Sequence, residues 1–297
     1  MEPFILIAIT AYLLFAINGV IDKFLLNKGI PEPVAFAFYV GIGSSLVVLL
    51  FPFGFEIPAF KIILIALASG LAFFFALIAL YTSLKYASAS RVLPTVGALV
   101  PVATYPLSWV LVNERLSAIE LCGMLLLVAG SLLLTRGARS YSRRHHWSAY
   151  TLLAAGLFAI SFTLSKIVYI DQVFVSGLIW TRFGLVLGAL MVLLFPHYRR
   201  HITATTRGVG QSIGILFIIG QAVGATAGIL QNYAISLGSV TIVNALQGTQ
   251  FAILVVLTWV LSTKFPKILR EDFSAATFVL KSTAIIVIIL GLGLIAF

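Results

Sequence analysis

Leu14-Phe15-Ala16-Ile17-Asn18, followed by Lys23, returns 143 residues later as Leu157-Phe158-Ala159-Ile160-Ser161, followed by Lys166. Tyr39 and Gly41 return at the same offset as Arg182 and Gly184. Ser108-Trp109-Val110-Leu111 returns as Thr258-Trp259-Val260-Leu261, offset by 150. The chain therefore reads as two copies of one unit. Outward from these stretches, apolar runs divide it into ten spans, near 4–26, 33–53, 60–84, 89–112, 117–136, 148–169, 173–195, 208–235, 239–261 and 275–297. About 20 apolar residues cross the hydrocarbon core as a helix. Five spans per copy is an odd number, so the second copy must sit upside down relative to the first. Inverted repeats about an axis in the membrane plane are a hallmark of secondary transporters. The expected fold class is an all-α, polytopic membrane protein of ten transmembrane helices in two inverted five-helix repeats. The first repeat is expected over 1–136, a basic linker over 137–147 and the second repeat over 148–297.

Composition excludes a soluble domain. The chain is 61% hydrophobic and only 9% charged, against about 25% charged in soluble proteins. Inside a bilayer every backbone polar group needs an internal partner, which leaves helices or a closed barrel. A barrel would alternate apolar and polar residues, and these runs do not. The net charge of +10 does not point to nucleic acid, because most Lys and Arg sit in short loops. Cys122 is the single cysteine, so no intramolecular disulfide forms. The first apolar run follows Met1-Glu2-Pro3 without a basic leader, and it carries a repeat motif. It is read as a retained helix rather than a cleaved signal.

The loops carry the inversion independently. Those after odd-numbered spans hold Lys28, Lys85, the linker with Arg139, Arg143 and Arg144, then Arg199, Arg200, Arg207, Lys264, Lys267 and Arg270. Those after even-numbered spans hold Lys61 and Arg115, each near acids. The positive-inside rule then puts the basic loops in the cytoplasm and both termini outside. Prolines 31, 33, 52, 58, 196 and 266 fall at or near span ends, where a missing N–H costs least. Pro94, Pro101 and Pro106 fall inside the fourth span and are expected to bend or break it. Broken helices near a repeat interface form substrate sites; a packing kink without a ligand is the alternative.

Several stretches resemble one family. Phe15-Ala16-Ile17-Asn18 through Lys23 is similar to its first-helix pattern of aromatic, small residue, Asn and later Lys. Ala79-Leu80-Tyr81 through Ala87-Ser88-Ala89-Ser90-Arg91-Val92 resembles the join of its third and fourth helices. Pro101, Trp109, Val110, Leu111, Glu114, Arg115, Leu116 and Ser117, with Gly123 and Gly130, resemble its proline, aliphatic-run, Glu-Arg-Leu and glycine-spaced helix pattern. The family is the EamA-like branch of the drug/metabolite transporter superfamily. The resemblance implies ten helices in two inverted repeats, a central cavity, and export or exchange of small metabolites, amino acids often among them. It also implies the inner (plasma) membrane of a bacterium or archaeon. The second copy departs from the pattern, with Lys264 in place of Glu114 and an amphipathic stretch from Phe265 to Ser274 before a last helix carrying Lys281. The charge bias of the loops is also opposite to that of many members.

Ionisable residues inside the hydrocarbon are expensive and mark substrate or ion pathways. Arg182 lies well within the seventh span between Thr181 and Phe183, with Trp180 nearby, and takes the place of Tyr39 in the first copy. Arg stays charged and binds carboxylates bidentately, so it is read as recognising an acidic group of the substrate. The alternative is pairing with carbonyls or snorkelling to an interface. At 100° per residue, Gln221 and Asn232 share one stripe of the eighth span. Asn244 and Gln247 share a face of the ninth with Phe251. Amides donate and accept, which suits a zwitterionic or hydroxylated solute; interhelical hydrogen bonding is the alternative. Asn18 and Ser161 are repeat partners whose other reading is small-residue packing. Tyr39 and Trp180 are candidates to stack on a substrate ring. The substrate-binding set is thus Arg182, Gln221, Asn232, Asn244, Gln247, Tyr39, Asn18, Ser161 and Trp180.

The nine acids are expected in loops or near span ends, which argues against cationic drugs. Uniport, exchange or proton coupling through Asp22 remain. All four His lie in basic loops, and no metal-ligand or catalytic cluster lies within a span. No phosphate-binding G-x-x-x-x-G-K-[ST] motif occurs. No enzyme activity and no cofactor are expected. The leading function is a secondary transporter of a small polar metabolite, an amino acid or related carboxylate, working by alternating access. A nucleotide-sugar or other metabolite transporter of the same fold is the alternative, and an intramembrane enzyme a distant one. The expected partners are a small-molecule substrate and the lipid bilayer, with no nucleic acid. A monomer would be self-sufficient; a dimer stays open.

Overall fold

The computed structural model of the chain describes residues 2–28, 32–136, 146–200, 202, 211–264 and 275–296. Among these it holds ten helices long and apolar enough to cross a membrane and no strand. The helices are α1 (Pro3–Lys28), α2 (Pro33–Gly43), α3 (Phe60–Tyr86), α4 (Ala89–Leu111), α5 (Ala118–Arg136), α6 (His146–Asp171), α7 (Phe174–Val192), α8 (Gln211–Leu237), α9 (Val240–Ala245), α10 (Gln247–Lys264) and α11 (Ala275–Ala296). The second span is completed by a 3₁₀ segment, Ser44–Phe53. It ends at Gly54, whose φ of 110° suits a residue without a Cβ. The ninth span is α9 and α10 together. Large apolar side chains point outward, as a lipid-facing surface requires: Leu49 is 72% exposed, Phe60 73% and Ile218 67%.

The helix ends follow local chemistry. Ser117 and Glu120 form a reciprocal capping box before α5: the Ser117 N–H donates to Glu120 Oε2 at 2.7 Å, and the Glu120 N–H donates to Ser117 Oγ at 3.3 Å. Ser239 Oγ accepts from the Ile242 N–H at 2.9 Å and starts α9. Lys166 Nζ, on α6, donates to the carbonyls of Ile235 at 2.8 Å and Gly238 at 2.7 Å. It thereby closes the C-terminus of α8.

The prolines of the fourth span do not break it. Helix α4 runs unbroken through Pro94, Pro101 and Pro106, as membrane helices can when neighbours re-satisfy the freed carbonyls. The interruption falls instead at Leu246, where no proline stands. There the Thr249 N–H and Thr249 Oγ1 both donate to the Leu246 carbonyl, at 2.9 Å and 2.7 Å. This pulls one turn into an i to i+3 pattern.

Packing is built on long helix pairs: α1 on α8, α3 on α6, and α5 on α11, with α7 against α3 and α4 against α6. Glycines set the closest approaches. A Cβ on Gly70 would lie 2.1 Å from the Thr181 carbonyl, and one on Gly184 would lie 2.3 Å from the Leu67 carbonyl. Backbone therefore touches backbone where α3 crosses α7, as small residues allow in membranes.

Candidate functional site

The bundle encloses a cavity of about 200 Å³. Its walls are largely aromatic and aliphatic: Phe15, Tyr81 and Phe251, with Leu77, Leu80, Leu84 and Leu93 among them. Helix α1 contributes a polar edge of Tyr12, Asn18 and Asp22, while Gln231 comes from α8 and Gln247 and Gln250 from α10. Tyr12 is fixed at both ends of its hydroxyl. It donates to the Val243 carbonyl at 2.8 Å and accepts from Gln231 Nε2 at 3.2 Å. Asn18 Nδ2 donates to Asp22 Oδ2 at 3.0 Å, one turn further on. Gly220 and Gly224 of α8 leave room for Asn18. A Cβ there would meet its Oδ1 at 3.3 Å and its Nδ2 at 3.2 Å.

A second, much smaller pocket, about 10 Å³, is lined by Ser69, Ser161, Ser165, Thr181, Arg182 and Asn232. Ser69 Oγ lies 2.8 Å from Ser165 Oγ and donates to the Ser161 carbonyl at 2.9 Å. Asn232 Oδ1 accepts from Tyr169 at 2.9 Å. Arg182 makes no hydrogen bond or ion pair among the described residues. Its guanidinium faces the Phe73 ring at 5.7 Å. Gly228 leaves it room, since a Cβ there would lie 3.3 Å from Arg182 Nη2.

Phe73 and Phe162 line both spaces. With Phe158 they form an aromatic layer, its ring centroids 5.2 to 6.0 Å apart. Along α3 the order is Ser69 and Gly70 in the pocket, Phe73 in the layer, then Leu77 to Leu84 in the cavity. The two spaces therefore succeed one another along the helix axes.

The nine residues singled out by sequence fall in three places. Asn18 and Gln247 line the cavity. Arg182, Ser161 and Asn232 line the pocket. Four line neither. Asn244 is buried and donates to Thr104 at 3.3 Å. Tyr39 donates to the Ile202 carbonyl at 3.2 Å. The Trp180 indole donates to the Glu56 carbonyl at 3.3 Å. Gln221 is half-buried on α8.

Asp22 stands at the end of the first membrane span, as expected, and lines the cavity wall there. Among the described lining residues it alone carries a formal charge. Glu114 stands beyond the end of α4, where its Oε2 accepts from Thr241 Oγ1 at 2.6 Å at the start of α9. The side chain of Lys23 lies outside the described residues, as do the linker and the stretch 265–274. Phe73, Phe158 and Phe162 were passed over as ordinary apolar residues. The available signal was that Phe158 lies within the repeated motif, aligned with Phe15.

A ten-span helical bundle around an amphipathic cavity defines a polytopic integral membrane protein with room for a small solute. Residues 3–136 match the EamA-like transporter family, of the drug/metabolite transporter superfamily. That family is one of membrane transporters of small metabolites. A solved structure described only as "Crystal structure of protein" superposes with a TM-score of 0.68, covering 98% of this chain and 95% of its own, at 16% identity. At that identity the likeness speaks for the fold alone. No curated protein matched.

Proposed function

We propose that the protein moves an amino acid or related small carboxylate by alternating access, in export or exchange. The carrying observation is Arg182, a cation held in a buried polar pocket without a hydrogen-bonding partner among the described residues, behind an aromatic layer from an amphipathic cavity. The aromatic and aliphatic walls suit a side chain. The amides of Asn18, Gln231, Gln247 and Gln250 suit polar groups, and the guanidinium suits a carboxylate. Pockets for drug-sized ligands run about 300–1,000 Å³, so 200 Å³ favours a smaller solute over a nucleotide sugar.

Alternation rests on the inverted repeat, which is part of this proposal. The pairs α1–α8 and α6–α3 exchange under it, and both pack closely. Asn18 lies against α8, and its repeat partner Ser161 is bonded to Ser69 of α3. One half-site is then the open cavity and the other the contracted pocket, and the cycle exchanges them. The positive-inside rule orients the cavity toward the cytoplasm, because Leu84 and Ala89 reach the basic α3–α4 turn.

Counterflow in proteoliposomes with a panel of labelled amino acids tests this. Saturable counterflow of one amino acid is expected, at least about tenfold weaker in Arg182→Gln, a loss of about 1.4 kcal/mol. Normal transport by both Arg182→Gln and Arg182→Lys rules out the carboxylate contact. No counterflow of any amino acid by folded protein rules out the substrate class.

A further inference from the structure

Asn18 and Asp22 leave two buried oxygens without donors. Their one mutual hydrogen bond uses Asn18 Nδ2 and Asp22 Oδ2. Asn18 Oδ1 and Asp22 Oδ1 are shielded from solvent and have no hydrogen-bond partner among the described residues. Turning the Asn18 amide over does not help. It moves the donor away from Asp22 and leaves a different oxygen orphaned. Buried acceptors almost always find donors, and an ionised carboxylate within a membrane span is expensive unless paired.

No described neighbour supplies the missing charge. Helices α8, α9 and α10 pack on α1. They bring Gly220, Gly224 and amides toward the pair, and their described side chains include no Lys, Arg, His or acid. Across the cavity, α3 presents Tyr81, and Tyr12 lies further along α1, its hydroxyl already engaged. What is missing is a positive charge or a proton.

We propose that Asn18 and Asp22 form a monovalent-cation site on the cavity wall. Its occupant is a proton, a sodium ion or the ammonium group of the cargo, and it neutralises Asp22 during the transport cycle. A proton on Asp22 makes the carboxyl a donor as well as an acceptor, which allows a reciprocal pair with the Asn18 amide. Sodium or an ammonium group bridges the two orphaned oxygens instead. This deepens the transport reading above, since the site faces the same cavity. It places the coupling charge on α1 and the anion-binding charge, Arg182, on α7.

Thermal melting of the purified full-length protein, without substrate, reads the site independently of transport. One arm lowers the pH in choline buffer. A second adds sodium chloride against choline chloride. A third adds a small primary amine against its N-acetyl derivative. A ligand bound only by the folded state raises stability, and so does a proton bound more tightly by the folded state than by the unfolded one. In one arm, wild type is expected to melt at least about 2 °C higher, and the responding arm names the occupant. Asp22→Asn is expected to be flat in that arm and to start near the raised value, because its carboxamide supplies the missing donor. If Asp22→Asn does not fold, Asn18→Ser, which loses one bridging oxygen, is expected to need about tenfold more of the cation for the same shift.

A wild type flat in all three arms overturns the site. So does an Asp22→Asn or Asn18→Ser protein that shifts as wild type does. Failure of amino-acid counterflow leaves this readout untouched, so the two proposals fail separately.

Discussion

Single residues close one end of the bundle, where α8 ends. Lys166 donates at 2.8 Å and 2.7 Å to the last carbonyls of α8. Hydrogen bonds to charged groups contribute roughly 1.5–3 kcal/mol each, and leaving buried carbonyls bare adds a penalty. Lys166→Met is therefore expected to destabilise the protein by roughly 3 kcal/mol or more, seen as a lower melting temperature in detergent. A Lys166→Met protein that melts with wild type removes the cap from the account. The type of this residue was legible in the sequence, but its use was not. A lysine near a span end is usually free to snorkel, and only the arrival of α8 puts carbonyls within its reach. Arg182 stood out for the opposite reason, because no position inside a span hides a fixed charge. Asp22 stood out as an acid near a span end, but its pairing with Asn18 one turn back depends on how α1 packs against the cavity.

At the scale of elements, the α3–α7 crossing leaves no room for a side chain. Gly70→Val puts atoms against the Thr181 carbonyl and the Leu185 N–H, 2.1 Å and 2.4 Å from the added Cβ. Backbone cannot swing aside as a side chain can. Overpacking costs about 1–3 kcal/mol in cores that adjust, and this site is expected to exceed that range. Folded yield on size exclusion is expected to collapse. Gly156→Ala is the matched control, since nothing lies within 4 Å of its added Cβ and Gly to Ala in a helix interior gains about 0.5–1 kcal/mol. Equal yields for the two variants contradict the crossing. Element positions were legible because Pro33, Pro58 and the polar turns punctuate apolar runs of fixed length. The interruption at Leu246 was not, because it depends on how Thr249 doubles onto one carbonyl. Proline positions alone pointed to α4 instead.

At the scale of the whole molecule, the two spaces differ about twentyfold in volume, 200 Å³ against 10 Å³, although the proposed inverted repeat assigns them corresponding places. In the alternating-access cycle proposed above, that asymmetry corresponds to one side open and the other closed. The repeated motifs stand in the sequence, but the unequal volumes belong to a packed state rather than to either stretch. The contracted side is held where Ser69 Oγ and Ser165 Oγ stand 2.8 Å apart, joining α3 to α6. Opening that side has to part these two helices at this level. Cysteines at both positions, in a Cys122→Ser background, bring two sulfurs close enough to bond after small adjustments. Oxidation of Ser69→Cys/Ser165→Cys is expected to stop counterflow, and reductant to restore it, because a rocking cycle cannot finish with one side stapled shut. The reduced double variant and each single variant serve as references. Full counterflow by protein verified as cross-linked means that α3 and α6 never separate at this level. The cycle then has to run through some other pair of helices.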